Sequence, residues 1–140
     1  MSQFLLDTDT LSLIEQGHGV VLQHVNRHPI SEIQIATVSL QEQMQGFLSA
    51  VTRARDRPDV TRAHELLATR LLPVWSRFAA SPLTENAIDR FEQLRSMRLN
   101  VGVMDLRIAA IALVRSLTLV TRNQRDFSRV PGVTWVDWSV

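Results

Sequence analysis

Short apolar runs that alternate with amphipathic stretches predict an α/β protein built on an open, mostly parallel sheet covered on both faces. Two observations carry this. The strand-like runs are continuously apolar, as expected of strands buried on both sides, and helical patterns separate them along the chain. The late segment VMDLRIAAIALVRS also places Ala109, Ala110 and Ala112 on its apolar face, where small side chains let a helix approach a sheet closely.

Taken in order, Gln3 to Leu6 reads as the first strand. The threonines and serine of TDTLSLIEQ supply N-cap candidates for a short helix stopping near Gly17, and a second helical stretch follows. IQIATVS is rich in β-branched residues and reads as the second strand. After it, Leu40, Met44, Phe47, Leu48 and Val51 recur at helical spacing. Pro58 ends that pattern or starts the next helix, whose stripe is Val60, Ala63, Leu66, Leu67, Leu71 and Val74, with Pro73 expected to kink it or end it early. SPLTENAIDRFEQLRSM predicts at most a short strand, then a helix capped by Thr84. TLVTRN and VTWVDW read as the last strands, on either side of the segment holding Asn123 and Asp126.

Composition narrows the function classes. The 140 residues, 45% of them hydrophobic, suit one domain spanning 1–140, with no repeat or linker. The chain has no cysteine, which excludes disulfides, thiolate metal sites and a cysteine nucleophile. No basic segment leads into an apolar run of signal length, and no stretch approaches the roughly 18 apolar residues of a membrane span. The expectation is a cytoplasmic protein with no membrane partner. Net charge is only +1, but all fifteen basic residues are arginine. That suits phosphate contacts and equally reflects GC-rich coding.

In open parallel sheets ligands bind beyond the carboxyl ends of the strands. Asp7 follows the first strand, Glu42 lies one turn into the helix after the second, Asp105 opens the alanine-rich helix, and Asn123 and Asp126 follow the strand TLVT. All fall at one edge. Converging carboxylates repel and raise one another's pKa, so a hard cation such as Mg²⁺ or Mn²⁺ would be needed to compensate, which points to metal-assisted phosphoryl chemistry. The alternative is that each acid caps its own helix, and spacing alone leaves both readings open.

The same residues carry a resemblance. LLDTDTLS, SLQEQMQG, MDLRIAAIAL and LVTRNQRDFSRVPGV resemble, in order and over essentially the whole chain, the four blocks of the PIN-domain ribonucleases, specifically VapC-type toxins of toxin–antitoxin pairs. The resemblance implies a three-layer α/β/α fold with a mostly parallel central sheet. It implies a metal-dependent endoribonuclease using Mg²⁺ or Mn²⁺, an RNA substrate such as transfer or ribosomal RNA, a cognate antitoxin and a homodimer.

Carried over by position, the family acids fall on Asp7, Glu42 and Asp105. The resemblance implies metal ligation by Asp7 and Asp105, with Glu42 orienting the surrounding shell or sharing a second ion. The fourth acidic position holds Asn123, with Asp126 in the DF pair three residues on, so either completes the site. Asp9 stands where the family usually has asparagine, and capping of the first helix is its favoured reading. Arg122, Arg125 and Arg129 form a basic cluster that either grips RNA phosphates or is a solvated loop. Thr8 and Thr121 read foremost as buried strand-end residues.

His18, His24, His28 and His64 lack metal-ligand spacing and read as surface or capping residues. Trp75, Trp135 and Trp138 read as core or edge-strand packing. Met44, Phe47 and Leu48 read as core, with part of their stripe available to an antitoxin helix. An inert PIN-like module that binds RNA or protein is the main rival, kept open by Asn123. A phospho-acceptor receiver domain needs a nearby lysine, and a dinucleotide-binding fold needs a G-x-G-x-x-G after the first strand; the chain has neither.

Overall fold

The computed structural model describes residues 3–140. Five strands form one parallel sheet: β1 (Phe4–Leu6), β2 (Ile33–Ala36), β3 (Ala79–Ser81), β4 (Thr118–Val120) and β5 (Trp135–Val136), in the order β3-β2-β1-β4-β5. β1 lies at the centre, with Leu6 opposite Ile35 of β2 on one side and Val120 of β4 on the other.

The order reverses at β1. The chain steps outward from β1 to β2 to β3, then crosses back to lay β4 on the free side of β1. With crossovers of one hand, this reversal puts the connecting helices on opposite faces. One face carries α1 (Thr8–Glu15), α2 (Gly19–Asn26) and α3 (Thr37–Arg53), packed with Phe4, Leu6, Ile33, Ile35 and Val120. The other carries α6 (Glu85–Ser96), α7 (Val103–Arg115) and the short α8 (Gln124–Phe127), packed with Leu5 and Leu119. The result is the three-layer α/β/α architecture expected from the sequence.

Local chemistry sets the boundaries. Gly17, at φ +77°, takes the left-handed conformation that stops α1. His18 caps α2, its Nδ1 accepting from the Val21 N–H, and Thr84 caps α6 through the Ala87 N–H. In α7, Ile108, Ala109, Ala110, Ile111 and Ala112 are all buried, so the alanine face does hold this helix close against its neighbours.

One expectation is resolved and two are corrected. Of the two outcomes expected at Pro73, the helix is deformed and not ended: α4 (Arg57–Leu66) passes through a π-helical turn, Leu67–Leu71, into α5 (Leu72–Trp75). Pro73 has no N–H and its ring crowds the carbonyl four residues back; the wider π turn gives that contact room, so the helix deforms instead of ending. Second, Met44 and Leu48 are not core; they are 52% and 59% exposed, because none of the described residues covers that face of α3. Phe47 is half-buried and meets His64 of α4 edge-on at 5.2 Å. Third, Asp9 does not cap α1: Asp7 does, accepting from the Thr10 N–H at 2.8 Å. No helix among the described residues is long and apolar enough to cross a membrane.

Candidate active site

The strand order reverses between β1 and β4, and Asp7 emerges there. Its N–H donates to Val120 O at 3.1 Å, which ties the residue to β4 as well as to its own strand. Its carboxylate is buried beside Thr10 and Thr121. Burial raises its pKa above the usual carboxylate value, hydrogen bonds from Thr121 and Thr10 pull it partly back, and Asp9 adds to the rise.

Glu42 reaches the same edge from the second turn of α3. Thr8 Oγ1 donates to Glu42 Oε1 at 2.6 Å and lies 2.9 Å from Ser39 Oγ. A hydroxyl has one proton. With Thr8's committed to Glu42, the buried Ser39 is left to donate to Thr8, and the pair fixes the carboxylate.

Asp105 sits in the first turn of α7, half-buried. Burial first, then the charges of Asp7, Glu42 and Asp126, push its pKa up to about 6. Asp105 therefore senses three other acids across this edge. Asp7, Asp9, Glu42, Asp105 and Asn123 line a pocket of about 470 Å³ together with Thr8 and Ser12.

Asn123 and Asp126 divide the work expected of a fourth acid. Asn123 caps α8: its Oδ1 accepts from the Asp126 N–H at 3.3 Å, and its Nδ2 donates to Asp126 Oδ2 at 3.0 Å. Asn123 thus faces the pocket, while Asp126 stands behind it, near enough to raise Asp105. The basic cluster is split as well. Arg129 donates to Asn100 O at 3.1 Å and approaches Asp126 at 3.6 Å, Arg125 is exposed on α8, and Arg122 pairs with Asp9 at the pocket rim.

Sequence reasoning understated Thr8 and Thr121, whose hydroxyls bond Glu42 and Asp7, and it missed Ser39. The available signal was a threonine just beyond each of two apolar strands, Thr8 after β1 and Thr121 after β4. The donor set is all hard oxygen, and the repulsion recorded at Asp105 is what a divalent cation relieves. Among the described residues, no three Asp, Glu or His side chains converge on one point as a closed ligand cage. An open set of this kind fits only a cation that keeps most of its waters and takes one or two carboxylates.

A second pocket, of about 270 Å³, opens between α1, α3 and α4. It is mostly apolar, with Phe47, Ala63, Leu66 and Leu71 in its walls. Glu15 lies within it, pushed up to about 7 by burial despite hydrogen bonds from Gln43 and Trp75.

The open parallel α/β sheet, with an acid-lined pocket at the point of strand reversal, agrees with the PIN-like fold that the sequence resemblance implied. The backbone is similar to a chain of the DNA-bound VapBC from Salmonella typhimurium, at TM-score 0.77 and 25% identity, with 99% of each chain covered. It is similar in fold to FitAcB from Neisseria gonorrhoeae, at TM-score 0.72 and 22% identity over 97% of this chain and 98% of that one. The same holds for VapBC-5 from Mycobacterium tuberculosis, a member of the VapBC family of toxin–antitoxin systems, at TM-score 0.60 and 18% identity over 98% and 99%. No protein-family model and no curated protein sequence matches the chain. The VapC-type resemblance carried by the four sequence blocks therefore extends to the whole fold.

Proposed function

We propose that this protein, read as a single domain, is a metal-dependent endoribonuclease and the toxin of a toxin–antitoxin pair. The observation that carries the reading is the meeting of Asp7, Glu42 and Asp105 in one pocket, from β1, α3 and α7, on the backbone found in VapBC complexes.

Asp7 and Asp105 would hold Mg²⁺ or Mn²⁺. When bound, such an ion supplies Lewis-acid stabilisation of phosphoryl charge and makes a neighbouring water more acidic. Glu42, fixed by Thr8 and Ser39, is placed to orient water around the reacting phosphate. Asn123 offers a neutral amide at the rim. Hydrolysis with inversion at phosphorus would release the 3′-oxygen, giving a 3′-hydroxyl and a 5′-phosphate, as the family resemblance implies. Asp105 must be ionised for its role, and proximity to the other acids makes that harder without a cation.

The partner reading rests on the apolar face left open by α3 and α4. Met44, Leu48 and Leu66 are exposed there beside the apolar pocket, a surface suited to the apolar side of an antitoxin helix. A homodimer is the further expectation of the family.

Cleavage of an RNA such as transfer or ribosomal RNA by the purified protein, with Mg²⁺ or Mn²⁺ and then with EDTA, tests the nuclease reading. Cutting should stop with EDTA and fall at least a hundredfold, as an order of magnitude, in Asp105→Asn. Activity that survives EDTA, or an Asp105→Asn protein as fast as the parent, would overturn it.

A further inference from the structure

Asp9 and Arg122 are 113 residues apart in sequence and form a two-bonded pair at the rim of the acid pocket: Nε donates to Oδ2 at 2.7 Å and Nη2 to Oδ1 at 3.2 Å. Both side chains are about half exposed, so the pair contributes little to stability. Its location raises a question of charge. Asp9 adds a negative group to a pocket already crowded with acids, and it opposes the approach of any polyanion.

The guanidinium geometry answers it. Arginine has five N–H donors in a rigid plane. Asp9 takes one from Nε and one from Nη2. The donors left over are both on Nη1 and one on Nη2, the end-on edge that matches two oxygens of a phosphate. Arg122 is also anchored through its neighbours, since Thr121 Oγ1 accepts the Asn123 N–H at 2.9 Å and Asn123 caps α8. A flexible rim arginine is thereby held by one edge with the other edge open.

Resting on the nuclease reading above, we infer that Asp9 is a positioning residue which orients Arg122 as a clamp for an RNA phosphate at the pocket rim. Asp9 touches no substrate in this arrangement; it acts through Arg122.

The expected effect of Asp9 removal is opposite in sign to simple electrostatics. Removing a negative charge beside a polyanion site should tighten RNA binding, whereas removing the holder of the clamp should weaken it. The experiment titrates a fluorescein-labelled single-stranded RNA into the full chain in EDTA, over a range of salt, and follows anisotropy. Arg122→Ala is expected to weaken binding and to flatten the dependence of log affinity on log salt by about 0.7, one phosphate contact. Asp9→Asn is expected to weaken binding severalfold in the Arg122 protein, yet to tighten it or leave it unchanged in an Arg122→Ala background. With Mg²⁺ present, the Asp9→Asn defect should fall on KM more than on kcat. Tighter RNA binding by Asp9→Asn in the Arg122 protein, or an unchanged salt slope in Arg122→Ala, overturns the clamp alone. A parent protein that binds no RNA at low salt overturns the nuclease reading and the clamp together.

Discussion

Replacing Asp105 by asparagine should stabilise the metal-free protein while removing its activity. Asp105 is pushed from 3.8 up to about 6, chiefly by burial and then by Asp7, Glu42 and Asp126. Because the folded value lies above the unfolded one, the native state holds the extra proton between the two. Stability therefore falls as pH rises through that window, and the unfavourable contribution is complete above about 6. At 1.36 kcal/mol per unit the whole shift corresponds to about 3 kcal/mol, and solvent screening of this half-buried group reduces it to about 1–1.5 kcal/mol. Asparagine keeps the shape and loses the charge, so it should recover most of that. For a chain of this size the gain is about 3–5 °C in Tm. Calorimetry in EDTA at pH 7.5 reads it directly. At pH 4.5, a third of the way up that window, the advantage should shrink to about a third, and it should vanish below 3.8. Adding Mg²⁺ should raise the Tm of the parent more than that of the variant. A variant less stable than the parent in EDTA at pH 7.5, or equally favoured at both pH values, would refute the account of Asp105 as a strained charge.

Thr8→Val removes the proton that fixes Glu42 and strands the Ser39 hydroxyl; the expected loss is tenfold to a hundredfold in kcat, with about 1 kcal/mol of stability, read by RNA cleavage and by urea melts. Leu48→Glu, on the open face of α3, should leave the melting temperature within the effect of about 0.5 kcal/mol but weaken binding of the cognate antitoxin by about 2 kcal/mol, read by titration calorimetry.

The parts of the site visible in the sequence were those that a strand end or helix start announces. Asp7 closes an apolar run and Asp105 opens an alanine-faced helix, so both could be placed on one edge before any coordinates. Glu42 followed from its distance beyond the second strand. Hidden from view were relations set by rotamers and long-range neighbours. Which aspartate caps α1 depends on the backbone conformation at Asp7, and the Asp9–Arg122 pair joins two exposed residues with no periodic signature. The four-residue α8 is shorter than the window over which helical spacing can be recognised. The stripe Leu40, Met44, Phe47, Leu48 was legible as an apolar face, but periodicity does not say whether the chain itself covers it.

Asp7 and Asp9 follow β1 and Glu42 lies in the helix that follows β2, while Asp105 opens α7, the helix that runs into β4; neither margin strand, β3 or β5, leads directly into a pocket acid. In local unfolding, margins open first and central strands open with the whole molecule. Fraying of the outer strands therefore does not by itself remove Asp7 or Glu42 from the pocket. Restraint of such a site has to come from something that covers it.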